Sequence, residues 1–490
     1  MSASFDQRRF IASTGSALAS LSLAPLCAAA RMPMEDVIVL IPGITGSTLR
    51  KNGRDVWALS ADGILGAVRS LGGSIDALKL AQDLPEIDDL GDGVSADRLF
   101  DDVHLIPGFW KIDGYGKIRE RIKREFEVEA GVNFFEFPYD WRRDNRVAAR
   151  RLARLSHAWL KAWRRRSGNA DSKLVLLAHS MGGLVARYFA ESLDGWRDIR
   201  KLITFGTPFR GSLNALNFLS NGYKQRVGSL ELADLSALMR SFTSVYQLLP
   251  RYPCFDAGDG KLQRVGEIKG IPNVDADKAR NALEFHRDID AAVEGHLRDD
   301  AYLRNRYLIH PIVGTYQATL QTAKLAGGKV EFSATYPGEK FDGDGTVPRV
   351  SATPLELSRA DAELFVAQVH GSLQNTDAVL TQVAGLLTAG KLKWDRFRED
   401  PVAISLALED VYSASDPIPI VSRCEDPKQK LTAVIADAPT GAELARKALQ
   451  VGADGNHAAS FGPLPQGAYR VTVSGQGATT PVSDVFLVAQ

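Results

Sequence analysis

Residues 173–187, KLVLLAHSMGGLVAR, place a serine where it could act as a nucleophile. The apolar run Leu174–Leu177 stops at the turn AHSMGG, residues 178–183, and a helical pattern follows. A strand, a sharp turn and a helix form the context in which G-x-S-x-G presents a nucleophilic serine. Ala178 stands where the motif has glycine, which is a difference of one methyl group. The alternative is an ordinary Ser-Gly turn, and the context favours a nucleophilic Ser180.

A serine hydroxyl is a weak nucleophile at neutral pH and needs a base beside it. In α/β-hydrolases the chain order is nucleophile, acid, histidine. Of the eight histidines, only His370 and His457 follow the last predicted strand of the sheet, and His457 belongs to a different C-terminal segment. The run LFVAQV, residues 364–369, would deliver His370 to a Gly-Ser loop, so we predict His370 as the base. The alternative is that His370 caps a helix that begins near Asn375.

The acid is expected between these two residues, and the segment FDGDGTVP, residues 341–348, is the candidate. Asp344 is favoured because Gly345 and Thr346 can turn its carboxylate inward and donate backbone hydrogen bonds. Such bonds keep the carboxylate ionised, so that it can orient the histidine. Asp342 is the alternative. A calcium loop is excluded, because the required glycine and glutamate positions hold valine and threonine.

The negative charge that forms on an ester carbonyl during attack needs two backbone N–H donors. One is expected from Met181, the residue after the nucleophile. The other is expected from the loop Pro42–Ile44, which follows an early apolar run, and we predict Ile44. Only the amide of Ile44 would act, so its side chain is immaterial. An ordinary strand-to-loop turn is the alternative.

These residues need a sheet that brings distant strand ends together. Apolar runs predict strands at Glu35–Ile41, Asn133–Phe137, Lys201–Phe205 and Tyr307–Val313, and residues 145–166 have the pattern of an amphipathic helix. Strands that alternate with helices predict a mostly parallel sheet. Residues 45–110 and 210–300 are irregular, and long insertions after strand ends usually form a cap or lid.

The composition changes near Pro401. Seven short runs with strand character follow, separated by Pro, Gly, Asp and Asn turns: Ile404–Glu409, Ile418–Arg423, Leu431–Ala436, Ala445–Val451, Ala458–Phe461, Tyr469–Ser474 and Asp484–Ala489. Seven short strands in about ninety residues suggest a β-sandwich of immunoglobulin-like size. The sequence therefore predicts an α/β-hydrolase unit over residues 31–395, a linker at Trp394–Pro401, and a β-sandwich over residues 403–490.

Composition limits the functional classes. The 490 residues include 59 basic and 59 acidic side chains, and this zero net charge argues against a dedicated nucleic-acid binder. Residues after the leader contain no run of 18 uncharged apolar positions, so no spanning helix is expected. The three cysteines, Cys27, Cys254 and Cys424, lack zinc-ligand spacing. We expect neither a metal nor another cofactor, and whether Cys254 and Cys424 pair is left open.

The first thirty residues are typical of an export signal. Arg8 and Arg9 precede a mildly apolar stretch that ends in small residues, as in a bacterial twin-arginine signal. The protein is then expected in the periplasm or outside the cell. The alternative is a disordered tail on a cytoplasmic protein.

Together these segments resemble the lecithin:cholesterol acyltransferase family, with its relatives lysosomal phospholipase A and phospholipid:diacylglycerol acyltransferase. The matching segments are VIVLIPGITGSTL (37–49), FPYDWR (137–142), LLAHSMGGLVAR (176–187), FGTP (205–208), SFTSVYQLLP (241–250), DGDGTVP (342–348) and His370. The resemblance implies Ser180, Asp344 and His370 as the catalytic triad and Ile44 and Met181 as the oxyanion hole. It also implies a cap and lid over a lipid acyl site.

The chain departs from the family at the lid. Animal members close the lid with a disulfide, but no cysteine lies between Cys27 and Cys254 here. Trp57 could be the lid tryptophan of the family or a core residue. Phe242, Tyr246, Leu248 and Leu249 are predicted to contact the acyl chain, with the core of the cap as an equal alternative.

The sequence therefore predicts a serine-dependent lipid acyl hydrolase or O-acyltransferase that acts on a phospholipid or glyceride ester through an acyl-serine intermediate. Expected partners are a lipid or other acyl ester and a transient membrane-surface or lipoprotein-like interface, without nucleic acid. One alternative is a general carboxylesterase or polyester depolymerase. The other is an inert hydrolase fold in which the β-sandwich binds a ligand.

Overall fold

The structure is a computed structural model that describes residues 30–57, 77–106, 110–222, 226–227, 230–231, 234–357, 364–388, 402–477 and 479–489. The predicted export signal lies outside these ranges except for Ala30, and the predicted linker lies outside them entirely. The boundaries proposed for the two units stay predictions. Within the described residues, every helix is too short or too polar to span a lipid bilayer.

A parallel sheet forms the centre of the first unit. Its strands are β1 (Val37–Ile41), β2 (Phe134–Glu136), β3 (Leu174–His179), β4 (Ile199–Phe205), β5 (Leu308–Thr315) and β6 (Leu364–Ala367). The spatial order is β6-β5-β4-β3-β1-β2, and each neighbouring pair is parallel. All residues of β1 and β3 are buried, as their continuous apolar runs predict for strands covered on both faces.

Helices alternate with these strands around the parallel sheet, as predicted for an α/β-hydrolase fold. The α-helices of the described residues are Gly116–Glu125, Asn145–Ser167, Met181–Ser192, Leu213–Asn221, Ser236–Ser241, Thr243–Gln247, Ala276–His296, Asp300–Asn305 and Asp377–Thr388. The helix predicted over residues 145–166 begins after Asp144, whose carboxylate accepts a hydrogen bond from the amide of Arg146. It ends at Gly168, whose φ of 70° places it in the left-handed region.

The two insertions contain more regular structure than the sequence suggested. Strands Ser47–Lys51, Arg54–Trp57 and Val94–Leu99 form an antiparallel sheet, and His104–Ile106 pairs with Trp110–Ile112. Strands Phe255–Asp256 and Leu262–Gln263 join Thr322–Ala326 and Lys329–Ser333 in a second small sheet. A strand pair also lies at Arg226–Val227 and Leu230–Glu231. Most of these strands lie in the two insertions, and none has a long apolar run like those that identify the central strands.

The C-terminal segment is a β-sandwich. Its strands are β7 (Ile404–Ala407), β8 (Val411–Ser413), β9 (Ile418–Cys424), β10 (Thr432–Asp437), β11 (Glu443–Ala448), β12 (Gln450–Val451), β13 (His457–Phe461), β14 (Gly467–Ser474) and β15 (Val482–Ala489). One sheet has the order β7-β9-β13-β12 and the other β8-β15-β14-β10-β11. Ile404 and Ile420 from the first sheet share a hydrophobic core with Val471 and Phe486 from the second.

Two details of the sandwich differ from the prediction. The run Ala445–Val451 is divided between β11 and β12, which belong to different sheets, and the buried Leu449 lies at the crossing. The strand β8 was not predicted. It is three residues long and pairs in parallel with β15 at the other end of the segment, a partner that local sequence cannot indicate.

Candidate active site

Three side chains that are distant in the chain form one line of hydrogen bonds. Nε2 of His370 lies 2.9 Å from Oγ of Ser180, and Nδ1 of His370 lies 2.7 Å from Oδ2 of Asp344. All three residues are buried. Because a carboxylate only accepts hydrogen bonds, the network assigns the proton to Nδ1, and Nε2 then accepts from the serine hydroxyl. The arrangement is compatible with the predicted nucleophile, base and acid, whose catalytic roles stay predictions.

Ser180 occupies a sharp turn between β3 and the helix Met181–Ser192. Its φ is 51° and its ψ is −125°, an unusual conformation for a residue with a side chain. The turn requires the two glycines that follow it. A Cβ at Gly182 would lie 2.4 Å from the carbonyl oxygen of Pro42, and one at Gly183 would lie 2.0 Å from Oγ1 of Thr207. The sequence pattern therefore marks a turn that only small residues can build.

Asp344 is held by the backbone of its own loop. Its Oδ1 accepts hydrogen bonds from the amides of Thr346 at 2.9 Å and Val347 at 2.6 Å. The expected donors were Gly345 and Thr346, so one of the two is different: the amide of Gly345 donates to Oγ1 of Thr319 instead. The carbonyl oxygen of Asp344 also accepts from the amide of His370 at 2.9 Å, which joins the two loops through the backbone.

The alternative acid, Asp342, is oriented away from this line. Its Oδ2 lies 3.0 Å from the guanidinium of Arg423 in the C-terminal sandwich. The contacts therefore distinguish two aspartates that the sequence left as alternatives, and the catalytic role of Asp344 stays a prediction.

A tyrosine and a second histidine lie behind the nucleophile. Nδ1 of His179 lies 3.0 Å from the hydroxyl of Tyr115, and Nε2 of His179 lies 3.2 Å from the carbonyl oxygen of His370. Burial lowers the pKa of His179 to about 3, so its imidazole is neutral near pH 7. A neutral ring can donate from Nε2 to the carbonyl and accept from Tyr115 at Nδ1. Sequence reasoning did not identify Tyr115, because it lies 64 positions from His179 with no local motif.

The loop Pro42–Ile44 lies directly beside Ser180. A Cβ on Gly43 would be 2.9 Å from Cβ of Ser180, and the amide of Gly43 donates to the Tyr115 hydroxyl at 2.8 Å. The next amide in the loop belongs to Ile44. Met181 is the first residue of its helix, where an amide has no acceptor within the helix. Both positions are compatible with the predicted oxyanion hole, which stays a prediction.

The residues predicted to contact substrate are all buried in the hydrophobic core: Trp57, Phe242, Tyr246, Leu248 and Leu249. The Trp57 ring packs 4.9 Å from that of Trp141, and its Nε1 donates to the carbonyl oxygen of Thr45. The hydroxyl of Tyr246 accepts from the amide of Asp275. None of the five is among the described residues that line the cavity beside His370. Their contact with an acyl chain stays a prediction.

A cavity of about 610 Å³ adjoins His370 and Asp344. From the first unit it is lined by Lys111, Asn214, Phe218, Gln317, Ala318, Gly345, Thr346, Val369 and Gly371, and from the sandwich by residues 405–410, Tyr412, Pro419, Val421 and Asp484. The sandwich therefore forms one wall of a space that adjoins His370. Its role in the site was not evident from the sequence, which showed only that a second unit follows the first.

Gln317 joins the loop that carries Asp344 to the sandwich. Nε2 of Gln317 donates to the carbonyl oxygen of Ile404, and Oε1 of Gln317 accepts from the amide of Leu406 at 3.0 Å. The backbone of Gln317 exchanges two hydrogen bonds with Gly343, next to Asp344. The same loop is also bonded to the sandwich by Asp342 and Arg423.

Charged pairs also join the two units, and Lys111, Asp410 and Asp484 are among the residues that line the cavity. Nζ of Lys111 lies 2.6 Å from Asp410 and 2.8 Å from Asp484, and Arg470 pairs with Asp113. Asp484 is buried and Lys111 is four-fifths buried by side-chain area, so each charge depends on its partner. Cys254 and Cys424 are both buried and free, one in each unit.

One protein-family model matches part of the chain. Residues 109–270 match the model of the lecithin:cholesterol acyltransferase family. This match confirms the resemblance predicted from the motifs, and it includes the nucleophile turn and the segments FPYDWR, FGTP and SFTSVYQLLP. The loops that carry Asp344 and His370 lie beyond the matched stretch. No curated protein sequence matches the chain.

Solved structures to which the chain is similar include two of the lipase BlEst2 from Bacillus licheniformis. The mature form is 14% identical with a TM-score of 0.34, and the match covers 74% of this chain and 96% of that one. The propeptide form is 13% identical with a TM-score of 0.32, covering 92% and 93%. A putative membrane anchored protein from Corynebacterium diphtheriae is 13% identical with a TM-score of 0.15, and the match covers 19% of this chain and 21% of that protein.

Proposed function

We propose that the protein is a serine-dependent lipid acyl hydrolase or O-acyltransferase, with Ser180 as nucleophile, His370 as base and Asp344 as acid. The family match and the α/β-hydrolase fold support an enzyme that acts on lipid acyl esters. The observation that carries the proposal is the line of hydrogen bonds from Ser180 through His370 to Asp344, at 2.9 and 2.7 Å.

The reaction follows from this line. Nε2 of His370 takes the hydroxyl proton of Ser180 as Oγ attacks the ester carbonyl carbon, and the carbonyl oxygen becomes negatively charged. The amides of Ile44 and Met181 stabilise that charge. The C–O bond to the alcohol then breaks, and the alcohol oxygen receives the proton from Nε2. Ser180 is left as an acyl ester, while Asp344 stabilises the imidazolium during both transfers.

The second half of the cycle runs in reverse with a new acceptor. Nε2 of His370 takes a proton from water or from an alcohol, whose oxygen attacks the acyl carbon, and Ser180 regains its proton. Water gives a free fatty acid, and an alcohol gives a new ester. The same three residues serve both outcomes, so the choice depends on whether the site excludes water and admits an alcohol.

Covalent labelling tests the proposal directly. A fluorophosphonate should label the wild-type protein at Ser180 and should fail to label Ser180→Ala, which also should lose ester turnover while keeping its thermal transition. Ser167→Ala is the matched control, because Ser167 is an exposed serine at the end of its helix, and this variant should be labelled like the wild type. Undiminished turnover of a nitrophenyl ester by Ser180→Ala would refute the assignment.

Product analysis separates the possible activities. Incubation with a phospholipid or a glyceride, with and without a sterol or diacylglycerol, shows whether fatty acid or a new ester accumulates. Turnover of a lipid emulsion well above that of a soluble short ester supports a lipid substrate. The opposite preference supports a general carboxylesterase or a polyester depolymerase, and an absence of both turnover and labelling leaves a binding role. From the leader of the sequence we also propose that the protein is exported.

A further inference from the structure

The cavity beside His370 has two different walls. The first unit contributes polar residues such as Asn214 and Thr346, and the apolar residues Phe218, Ala318 and Val369. The sandwich contributes Leu406, Leu408, Tyr412, Pro419 and Val421. Leu406 and Tyr412 also belong to the hydrophobic core of the sandwich, whereas Pro419 and Val421 are exposed on the outer face of β9. Both units therefore supply apolar lining residues, and the exposed Pro419 and Val421 belong to a part of the chain outside the family match.

The position of these side chains follows from strand geometry. Along β9 burial alternates strictly, with Ile418, Ile420, Ser422 and Cys424 inside the sandwich. The intervening residues Pro419, Val421 and Arg423 are on the opposite face. Pro419 and Val421 line the cavity, and Arg423 reaches Asp342 in the acid loop. One face of β9 is thus directed toward the cavity and the loop that carries Asp342 and Asp344.

The charges around the cavity disfavour an anion. Among its described lining residues, the cationic side chains are Lys111 and, when protonated, His370, and Lys111 is paired with both Asp410 and Asp484. Glu409 adds a further carboxylate. A phosphate or carboxylate in this space would find no unpaired cation among these residues and would face several negative charges. A neutral, apolar group would instead cover the side chains of the sandwich wall.

We propose that this cavity is the subsite for the alcohol portion of the ester and that it takes a neutral, apolar alcohol, such as a fatty alcohol or the glyceride portion of a neutral lipid. The C-terminal sandwich is then a specificity element of the enzyme. This inference rests on the proposed function, since it assigns one part of the substrate to one side of the same triad.

The assignment to the alcohol follows from the atoms that react. The alcohol oxygen must come within hydrogen-bonding distance of Nε2 of His370, because that atom gives it a proton as it leaves and takes one as it arrives. The cavity adjoins His370, and its described lining residues do not include Ser180, Ile44 or Met181. A group that extends from the oxygen beside the imidazole would enter this space. The acyl carbon is held by Ser180 and the predicted oxyanion hole instead.

Two isomeric esters test the assignment. Octyl butanoate and butyl octanoate have the same composition, but the long chain is on the alcohol in the first and on the acid in the second. Val421→Trp narrows the cavity and should lower kcat/KM for octyl butanoate by about tenfold or more, with little change for butyl octanoate or ethyl butanoate. Val421 is 37% exposed, so the larger side chain does not disturb a core.

The matched control makes the same substitution at another exposed valine of the sandwich. Val451 is 56% exposed and lies on β12, outside the cavity lining, so Val451→Trp should leave kcat/KM for all three esters unchanged. Val421→Ala, which widens the space, should relax the preference among alcohols without changing the preference among acids. An octyl butanoate with a terminal carboxylate on its octyl chain should be a poorer substrate of the wild type than the neutral ester.

Three results would overturn the inference while leaving the proposed function intact. One is an equal effect of Val421→Trp on both isomers, and another is a larger effect on butyl octanoate, which would assign the cavity to the acyl chain. The third is a preference of the wild type for the carboxylate-bearing alcohol. Failure of the proposed function is distinct from these, because it appears as an absence of ester turnover and labelling in the wild type itself.

Discussion

The backbone amide of Ser483, in the C-terminal sandwich, donates a 3.1 Å hydrogen bond to Oε1 of Gln368, two residues before His370. The same oxygen accepts from the backbone amide of Val369 at 2.9 Å, so the buried side chain of Gln368 joins the loop that carries His370 to the sandwich. Gln317 makes the equivalent connection for the loop that carries Asp344. The loops that hold the acid and the base are therefore both bonded to a unit outside the central sheet.

Replacing either glutamine should weaken this connection. Gln317→Leu leaves the buried backbone groups of Ile404 and Leu406 unpaired, which should lower the free energy of unfolding by about 1–3 kcal/mol per group. Gln368→Leu leaves the partly buried amide of Ser483 unpaired and should cost less. If the loops depend on the connection for their position, kcat should fall more than KM changes. Urea unfolding and steady-state kinetics measure both effects. Gln466→Leu is the control at an exposed glutamine and should change neither; equal effects in all three variants would contradict the expectation.

The two neighbouring aspartates should respond differently to the same change. Asp344→Asn keeps an oxygen for the amides of Thr346 and Val347 but places no negative charge beside Nδ1 of His370, so kcat should fall by about 10⁴-fold. Asp342→Asn removes a partly exposed pair with Arg423 and should lower stability by about 1 kcal/mol or less, with kcat nearly unchanged. Kinetics on a soluble ester and thermal unfolding provide the comparison. A larger loss of kcat in Asp342→Asn would reverse the assignment of the acid.

A pair of glycines separates backbone strain from a steric effect on the triad. Gly206 has a φ of 56° and Gly327 a φ of 57°, so alanine should cost each about 1–2 kcal/mol in the left-handed region. A Cβ at Gly206 would also lie 2.7 Å from Oδ2 of Asp344 and 2.9 Å from Nδ1 of His370, whereas one at Gly327 meets nothing within 4 Å. Gly206→Ala should therefore lose at least about tenfold in kcat/KM. Gly327→Ala should lose stability alone, and a comparable loss of activity there would show that strain is the cause.

Stability should fall in mild acid because two histidines are buried as neutral rings. Burial lowers the pKa of both His179 and His286 to about 3, against about 6.5 when the chain is unfolded. Between these values the unfolded chain binds more protons than the folded one. The contribution of these two histidines to the free energy of unfolding is therefore fully present above pH 6.5. It is lost as the pH falls toward 3, by up to about 1.4 kcal/mol per pH unit for each histidine.

Denaturant unfolding at several pH values between 7 and 4 measures this slope. His286 is the better site for a variant, because its Nε2 donates to the carbonyl oxygen of Gln247 rather than to a residue of the triad. His286→Gln replaces the titrating ring by an amide that can donate the same bond. The slope should become shallower than that of the wild type, and an unchanged slope would show that His286 does not contribute to it.

Much of the fold and part of the candidate site could be predicted from local sequence patterns. A strand covered on both faces needs a continuous apolar run, and β1 and β3 have one, so both could be predicted from short segments. The turn at Ser180 needs small residues on its far side, and Gly182 and Gly183 show this in the sequence. The order of nucleophile, acid and base then limited the remaining candidates. These requirements act over a few residues, which is why a sequence displays them.

Tertiary contacts decided the rest. The sequence determined that Asp342 or Asp344 is available, but only the folded chain shows that one meets His370 and the other meets Arg423, 81 positions away. Gln317 and Gln368 have no local signature, because their partners lie 87 or more positions along the chain. Apolar spacing likewise identified side chains such as Leu249 without showing whether they face a core or a cavity. The sequence shows which side chains are present, and packing within and between the two units determines which of them come into contact.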